Sequence, residues 1–179
     1  MAKIIVVDET RCLGCNTCLI QCAMAHTDAA GLAEAIRDGA KLQPRLRVKP
    51  SGRFGAPLLC RHCEDAPCIG ACKKKLITRA SPDGPVLLDS EHCTGCRLCM
   101  RACPFGVIEV SRKGKVMVKC DLCIRRLEAG ELPACVAGCP TGALKFVKLD
   151  DSLRQKRRED LRQAKQLAHA EKADGPDKV

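Results

Sequence analysis

The chain has 179 residues, 16 of them cysteine, and a formal net charge of +10. It contains no Trp, no Tyr and three Phe, which excludes a large aromatic core, so that metals or cross-links must supply part of the stability. No apolar run approaches the ~20 residues of a membrane span, and the N-terminal apolar run is too short for a signal peptide. We therefore expect a cytoplasmic protein without a membrane span, whose thiols bind metals rather than form disulfides.

The predicted elements are short and alternate with groups of cysteines. A strand over KIIVVD (residues 3–8) leads into the first group. Residues 28–57 form an insertion, with a short helix in AAGLAEAIRDG followed by an extended, proline-rich stretch. The segment LITRASPDGPVLLDSEHC predicts a hairpin with a Ser-Pro-Asp-Gly turn, whose second strand covers residues 85–89.

A second hairpin is predicted in GVIEVSRKGKVMVKC. Its strands cover residues 107–110 and 115–119, and its turn lies near Lys113 and Gly114. The segment ALKFVK (residues 143–148) predicts the last strand. We expect this strand to pair with the first one if the two ends of the cysteine-containing region meet, and we expect short helices after each C-x3-C spacing.

The cysteines form four quartets, with none left over. The quartets are Cys12, Cys15, Cys18, Cys22; Cys60, Cys63, Cys68, Cys72; Cys93, Cys96, Cys99, Cys103; and Cys120, Cys123, Cys135, Cys139. The first and third quartets have the spacing C-x2-C-x2-C-x3-C of bacterial ferredoxins, and Pro104 and Pro140 follow the last two quartets. Zinc sites prefer two separate C-x2-C knuckles. The spacing therefore predicts iron–sulfur clusters.

In the ferredoxin pattern, the first three cysteines of a quartet bind one cluster and the fourth binds another. The quartets must then work in pairs. Spacing alone leaves three pairings open, with the first quartet joined to the second, the third or the fourth. The two predicted hairpins do not decide between these pairings.

The motifs CRHCEDAPCIGAC, CTGCRLCMRACPFG and KCDLCIRRLEAGELPACVAGCPTGAL carry a resemblance to a known family. Over roughly residues 3–148, the chain resembles the four-cluster ferredoxin-type electron-transfer subunits of dimethyl-sulfoxide-reductase-type molybdenum and tungsten enzymes, some hydrogenases and carbon monoxide dehydrogenase. The resemblance implies an α+β fold of tandem, nested bacterial ferredoxin-like units. Residues 1–59 and 104–148 would form the outer two-cluster unit, 60–103 the inner one, and 149–179 a charged helical tail.

The resemblance also implies four [4Fe–4S] clusters with crossed ligand sets. These sets are Cys12, Cys15, Cys18 with Cys139; Cys120, Cys123, Cys135 with Cys22; Cys60, Cys63, Cys68 with Cys103; and Cys93, Cys96, Cys99 with Cys72. Each oxidised cluster with its four thiolates carries a charge of about −2, so that the clusters would offset most of the basic excess. No aromatic residues are interleaved with the basic ones, and we expect no nucleic-acid binding.

The function implied by the resemblance is that of an electron-transfer subunit that is not catalytic alone. It would relay single electrons between a catalytic subunit, of molybdopterin or tungstopterin type such as an aldehyde oxidoreductase, and a second redox partner or flavin subunit. The alternatives are an electron carrier of carbon monoxide dehydrogenase or of a hydrogenase, a free polyferredoxin shuttle, and a zinc-rich nucleic-acid-binding module. Iron and sulfide analysis separates the last of these from the others.

The tail after residue 148 is rich in charge. Ser152 and Gln155 resemble a capping box and predict that a helix starts there. Its thin apolar stripe is interrupted by Arg157; the stripe consists of Leu153, Leu161, Ala164, Leu167 and Ala168. Two interpretations stay open, a solvated helix that frays and an arm that docks on a partner subunit or on a second copy.

Other residue types beside the cysteines have ordinary interpretations. His62 and His92 each precede a cysteine, but no thiolate is missing, and hydrogen-bonding or surface histidines are expected. Gly14 and Gly95 lie inside C-x2-C gaps and suit a tightly wrapped backbone that donates N–H groups to sulfur. The three phenylalanines are expected in the core; they are Phe54, Phe105 and Phe146.

Overall fold

The structure is a computed structural model that describes residues 3–51, 55–112 and 114–173, with side chains described up to Ala168. It combines short helices with two-stranded sheets, as in a small ferredoxin-like α+β fold. The strands are β1 (Lys3–Val7), β2 (Leu46–Lys49), β3 (Ala56–Leu59), β4 (Ile77–Arg79), β5 (Val86–Leu88), β6 (Glu109–Val110), β7 (Met117–Val118) and β8 (Leu144–Lys148). The helices are α1 (Thr17–Met24), α2 (Leu32–Arg37), α3 (Pro67–Ala71), α4 (Leu98–Ala102), α5 (Ile124–Glu128), α6 (Ala134–Ala137) and α7 (Asp151–Ala173).

The strands pair into four antiparallel ribbons. β1 pairs with β8, with Ile5 opposite Phe146, which confirms the predicted pairing of the first and last strands. The predicted hairpins are also confirmed, as β4–β5 and β6–β7. The insertion contains the predicted helix as α2 and also the ribbon β2–β3, which the sequence did not predict. Pro57 lies inside β3, and because proline is rare within strands, the sequence did not predict this strand.

The short helices lie within the C-x3-C spacings and not after them, which corrects the prediction. α1, α3, α4 and α6 each contain the third cysteine of a quartet. Three intervening residues amount to about one helical turn, so that the turn itself fills the gap. Cys72 and Cys103 then end α3 and α4 in extended conformation, whereas Cys22 remains inside α1.

Two separate cores hold the fold together, and cysteines are part of both. The first core is built from Cys18, Cys22, Leu46, Leu59, Cys135 and Leu144. The second core is built from Cys68, Ile77, Val86, Cys99, Ile108 and Met117. The second core thus includes β7 and the segment before β6, although the predicted inner unit ends at residue 103. Aliphatic side chains and sulfur replace the aromatic filling that the composition lacks.

Helix α7 begins one residue before the predicted capping box. The Asp150 carboxylate accepts the N–H of Leu153 at 2.8 Å, so Asp150 and not Ser152 caps the helix. The capping-box prediction is therefore wrong. An ionised carboxylate satisfies the free N–H groups of the first turn better than a hydroxyl, because it also faces the positive end of the helix dipole.

Helix α7 lies against its own chain. Leu161 is buried, whereas Leu167 is 67% exposed and does not join the predicted stripe. Ion pairs supply most of the other contacts between α7 and the rest of the chain. These ion pairs join Arg154 to Glu64 and Asp83, Arg158 to Glu64, Asp160 to Arg61, and Lys165 to Asp65. Helix α7 is therefore not a free helix, and the loop that follows Cys60 is the main surface that it contacts within the chain.

The described phenylalanines are half-buried rather than fully buried. Phe105 and Phe146 each carry a cation over the ring, Arg61 at 5.0 Å and Lys3 at 5.7 Å from the ring centroids. Their assignment to the core is therefore only partly correct, and Phe54 lies outside the described residues. Among the residues that the structure describes, no helix is both long and apolar enough to cross a membrane.

Candidate iron–sulfur sites

Thiols of different quartets lie near one another in the structure, and their contacts fit the four groups that the family resemblance implies, each with three cysteines of one quartet and one of another. All sixteen are free thiols. We name the groups by their order in space. They are site I (Cys12, Cys15, Cys18, Cys139), site II (Cys22, Cys120, Cys123, Cys135), site III (Cys60, Cys63, Cys68, Cys103) and site IV (Cys72, Cys93, Cys96, Cys99).

At site I, the four cysteines line one cavity with apolar walls. The β1–β8 ribbon holds the first quartet beside the loop that follows α6, since Asp8 donates its N–H to the carbonyl oxygen of Ala143 at 2.8 Å. Burial, followed by the charges of Cys15, Cys139 and Cys12, raises the pKa of Cys18 to about 11. Cys139 therefore lies among thiols that are more than a hundred residues distant in sequence.

At site II, Cys22 reaches across from α1 to the fourth quartet, because α1 packs against α6. Burial is the largest cause of the raised pKa of Cys135, followed by the charges of Cys22 and Cys123. Burial likewise raises the pKa of Cys120, and Cys22 contributes to the increase. The backbone N–H of Arg45 donates to Cys22 Sγ at 3.2 Å and orients that thiol.

Sites III and IV are related by the packing of α3 on α4. Burial, together with the charges of Cys60 and Cys103, raises the pKa of Cys68 to about 12. Burial also raises the pKa of Cys99, to which Cys93 and Cys72 contribute. The fourth cysteines of the second and third quartets are therefore exchanged between the two helices, since each leaves its own helix in extended conformation.

The spacing of the sulfur atoms distinguishes a cluster from a single metal ion. Four thiolates on one Zn²⁺ at about 2.3 Å would lie about 3.8 Å from one another. No three sulfur atoms of the sixteen cysteines lie within 4.8 Å of one another. Among the described residues, the group that does meet this limit is His26, Asp121 and Cys123, whose His26 and Asp121 form an ion pair. Thiols held this far apart fit a multi-iron cluster, in which each sulfur binds a different iron.

Backbone N–H groups are directed at several of the sulfur atoms. The residue two positions after the first cysteine of a quartet donates to that cysteine in three cases, namely His62 to Cys60 at 3.5 Å, Gly95 to Cys93 at 3.4 Å and Leu122 to Cys120 at 3.4 Å. All three donors have positive φ, as does Gly14 in the first quartet. This repeated left-handed residue wraps the chain around a sulfur and presents N–H groups to it, as predicted for Gly95.

The burial of the thiols also favours a cationic ligand. Thiols as buried as Cys63 and Cys68, with pKa values raised by burial to about 11 and about 12, are poor thiolates without a nearby positive charge. Iron supplies that charge and lowers the pKa on binding. The donor set, its spacing and its burial therefore fit iron–sulfur clusters.

Contacts connect the four sites in the order I, II, III and IV, with sites III and IV joined by the packing of α3 on α4. Cys135 of site II interacts with Cys18 of site I, and Cys120 of site II interacts with Cys60 of site III. Of all sixteen cysteines, the two exposed ones are Cys15 at site I and Cys96 at site IV. The four thiols of site II are buried, those of site III are buried or half-buried, and each outer site has one exposed thiol.

A polar network beside site II was not recognised in the sequence. His26 donates to the carbonyl oxygen of Cys22 at 2.7 Å and to Asp121 Oδ1 at 3.0 Å, and Arg45 pairs with Asp121 at 2.7 Å. Burial lowers the pKa of His26, but the hydrogen bonds to Asp121 and Cys22 raise it to about 9. The network ties α1, the insertion and the fourth quartet together. A sequence signal existed, since His26 follows Cys22 by one helical turn.

The sequence did not indicate two more cations near the sites, Lys119 and Arg157. The two histidines that precede cysteines, His62 and His92, form ordinary hydrogen bonds. Lys119 is 3% exposed, and Arg157 donates to the carbonyl oxygens of Arg61 and His62. His62 is 6% exposed and its Nδ1 accepts the N–H of Val86 at 3.0 Å, while the exposed His92 pairs with Asp89 at 2.7 Å. Both histidines therefore have hydrogen-bonding roles.

A small α+β fold around grouped, widely spaced thiols defines a ferredoxin-type iron–sulfur protein. Residues 53–149 match the 4Fe-4S dicluster domain, and the chain belongs to this family. It therefore binds multiple [4Fe–4S] clusters.

Curated relatives extend the similarity over most of the chain. It is 39% identical to an iron-sulfur protein of Rhodospirillum rubrum over 82% of this chain and 83% of that one. It is 36% identical to formate hydrogenlyase subunit 2 of Escherichia coli, over 90% of each chain. It is 37% identical to the thiosulfate reductase electron transfer subunit PhsB of Salmonella typhi, over 81% of this chain and 75% of that one. These relatives include electron-transfer iron–sulfur subunits of oxidoreductases.

Proposed function

We propose that this chain is the electron-transfer subunit of an oxidoreductase complex and relays single electrons through four [4Fe–4S] clusters at sites I to IV. The carrying observation is that the two exposed thiols, Cys15 and Cys96, belong to sites I and IV, the two ends of the series of sites. An enzyme with one active site has no use for four redox centres in a row. A relay needs this arrangement, with one accessible centre at each end.

The crossed ligand sets follow as part of the proposal. Each site takes three cysteines from one quartet and the fourth from another, as the thiol groups indicate. The first and fourth quartets would build an outer two-cluster unit, and the second and third an inner one. This nesting is supported by the β1–β8 ribbon, which joins the ends of the cysteine-containing region, and by the packing of α3 on α4.

When bound, the clusters supply one-electron transfer at thiolate-held iron. The protein positions the centres, directs N–H groups at the sulfurs and buries the four thiols of site II. Donors such as Gly95 N–H and Arg45 N–H stabilise the thiolates electrostatically. We assign no substrate chemistry to this chain.

The proposed partner is a catalytic subunit of molybdopterin or tungstopterin type, such as an aldehyde oxidoreductase, with a second redox protein or flavin subunit at the other end. The names of relatives support a place in such a complex, since one is a subunit of formate hydrogenlyase and another of thiosulfate reductase. Exposed apolar side chains close to Cys15 in sequence, Leu13 at 55% and Ile20 at 44% exposure, suit a stable subunit interface at site I.

Anaerobic affinity purification of the full chain from its native host tests this assignment. We expect about four irons and four sulfides per site and a stoichiometric large subunit. A lone 19.4 kDa chain with full iron content would instead support a free shuttle. Colourless protein containing zinc would overturn the cluster assignment.

The relay is tested by replacing one of the cysteines of site II, an inner site. Cys120→Ser should stop electron transfer between the catalytic partner and the second redox partner, while chemical reductants still reduce the outer sites. The corresponding control is Ser152→Ala on the exposed tail. Undiminished transfer in the Cys120 variant would contradict a series that passes through site II.

A further inference from the structure

Lys119 is a buried lysine for which the described residues provide no carboxylate partner. Lys119 is 3% exposed. Its Nζ donates to the carbonyl oxygen of Val86 and, at 2.8 Å, to that of Cys120. Within the described part of the chain, no ion pair includes Lys119. The carbonyl oxygens accept hydrogen bonds from the ammonium group, but they do not neutralise its positive charge.

A buried ammonium group without an opposing charge is costly, because transfer from water to a low-dielectric interior costs several kcal/mol even after relaxation. Proteins meet this cost with a nearby anion. The carboxylate nearest to Lys119 in sequence, that of Asp121, is already bound to His26 and Arg45. The position of Lys119 therefore indicates a different source of negative charge.

The two acceptors of Lys119 place it between sites II and III. Cys120 belongs to site II. Val86 lies in β5 and packs in the same core as Cys68 of site III. Burial raises the pKa of Cys68 and of Cys120, and the charge of Lys119 acts against burial at both thiols. One cation thus faces the two inner sites at once.

We propose that Lys119 is a buried counter-cation shared by the inner clusters, and that it raises the reduction potentials of both. This inference rests on the proposed function, since it requires clusters at sites II and III. Each oxidised site carries a charge of about −2 and gains one more negative charge on reduction. A fixed positive charge between them stabilises the reduced form more than the oxidised form, because attraction grows with the charge.

The same cation reduces repulsion between neighbouring sites. An electron on site II disfavours a second electron on site III, and a positive charge between the two weakens this effect. Surface cations cannot do this equally well, since water and salt screen them. Lys119 therefore acts through its charge on the two middle clusters of the relay and is not an iron ligand.

The test is an anaerobic redox titration of the isolated holoprotein followed by EPR, with iron and sulfide content measured on each sample. Lys119→Gln removes the charge but keeps an amide donor for the carbonyl oxygens, and Lys119→Met removes both. Lys119→Arg keeps the charge. Lys115→Met is the matched control. It also removes one positive charge, but Lys115 is exposed and lies on the other side of β7 from Lys119.

We expect two of the four midpoint potentials to shift to more negative values in the Gln and Met variants, and to remain near the wild-type values in the Arg and Lys115 variants. Four unchanged potentials in fully loaded Lys119→Gln would overturn the role of the charge. If the neutral variants lose iron, loss of half the iron with full retention in Lys119→Arg supports the counter-cation. Equal loss in the Arg variant counts against it.

These results are separable from the proposed function. A wild-type protein that contains zinc, or that binds iron at fewer than four sites, would refute the relay. A wild-type protein with four clusters and insensitive Lys119 variants would refute this inference alone.

Discussion

Arg157 of α7 donates from Nη2 to the carbonyl oxygen of His62 at 2.8 Å, and the same nitrogen contacts the carbonyl oxygen of Arg61. These two carbonyls belong to the C-x2-C gap between Cys60 and Cys63. Burial lowers the pKa of Arg157, while the charges of Cys63 and Glu64 raise it. The C-terminal helix thus holds the backbone that wraps one side of site III.

Replacement of Arg157 should loosen this attachment. Hydrogen bonds from a charged group are worth about 1.5–3 kcal/mol each when lost. Arg157→Ala should therefore increase hydrogen exchange of the segment around His62 and accelerate iron release from one site to a chelator. Lys156→Ala, on the exposed face of α7, is the control. Identical exchange in both variants would show that the guanidinium contact does not stabilise the loop.

Crossed ligation predicts an uneven effect of Cys22→Ala. Cys22 lies in the first quartet by sequence but among Cys120, Cys123 and Cys135 in the structure. The variant should lose or convert the cluster at site II and retain the one at site I. EPR signatures of the variant, compared with those of Cys12→Ala, measure this. Matching spectra of the two variants would mean that the first quartet binds a single cluster.

Gly95→Ala should impair loading of site IV. Gly95 has φ of +69°, and an added Cβ would lie 1.8 Å from the carbonyl oxygen of Lys115, a backbone atom, so that the chain itself would have to shift. Gly106 has φ of +60° with nothing within 4 Å of an added Cβ, so Gly106→Ala carries only the backbone cost of about 1–2 kcal/mol.

The measurement for this pair is iron content together with the midpoint of thermal cluster loss. We expect a clear loss of iron in Gly95→Ala and a small decrease of the midpoint in Gly106→Ala. Similar behaviour of the two variants would mean that left-handed backbone strain dominates and that the contact with Lys115 is unimportant.

The cap of α7 gives a further prediction. Asp150 accepts the N–H of Leu153, whereas no hydrogen bond joins Ser152 to the helix start in the described residues. Asp150→Ala should cost about 0.5–2 kcal/mol of local helix stability, and Ser152→Ala should change little. Hydrogen exchange of the peptide covering residues 150–157 reports the difference. Faster exchange in the Ser152 variant than in the Asp150 variant would restore the capping-box assignment.

Most of the local structure could be predicted from the sequence. The two hairpins follow from their turn residues, and the strand pair β1–β8 follows from the need to join the ends of the cysteine-containing region. The ribbon β2–β3 could not be predicted, because Pro57 and the polar insertion hide its alternation. The resemblance to a family supplied the exchange of fourth cysteines between quartets, since spacing alone allowed three pairings.

The sequence by itself determined the chemistry, because sixteen cysteines in four quartets, two of them with ferredoxin spacing, have few other uses. Tertiary structure alone decided which two thiols are exposed and which cations face the sites. Lys119, Arg157 and the pair of His26 with Asp121 carry no recognisable motif. Their effect depends on burial and on distances between segments far apart in the chain, and electrostatic energy depends on those quantities rather than on sequence order.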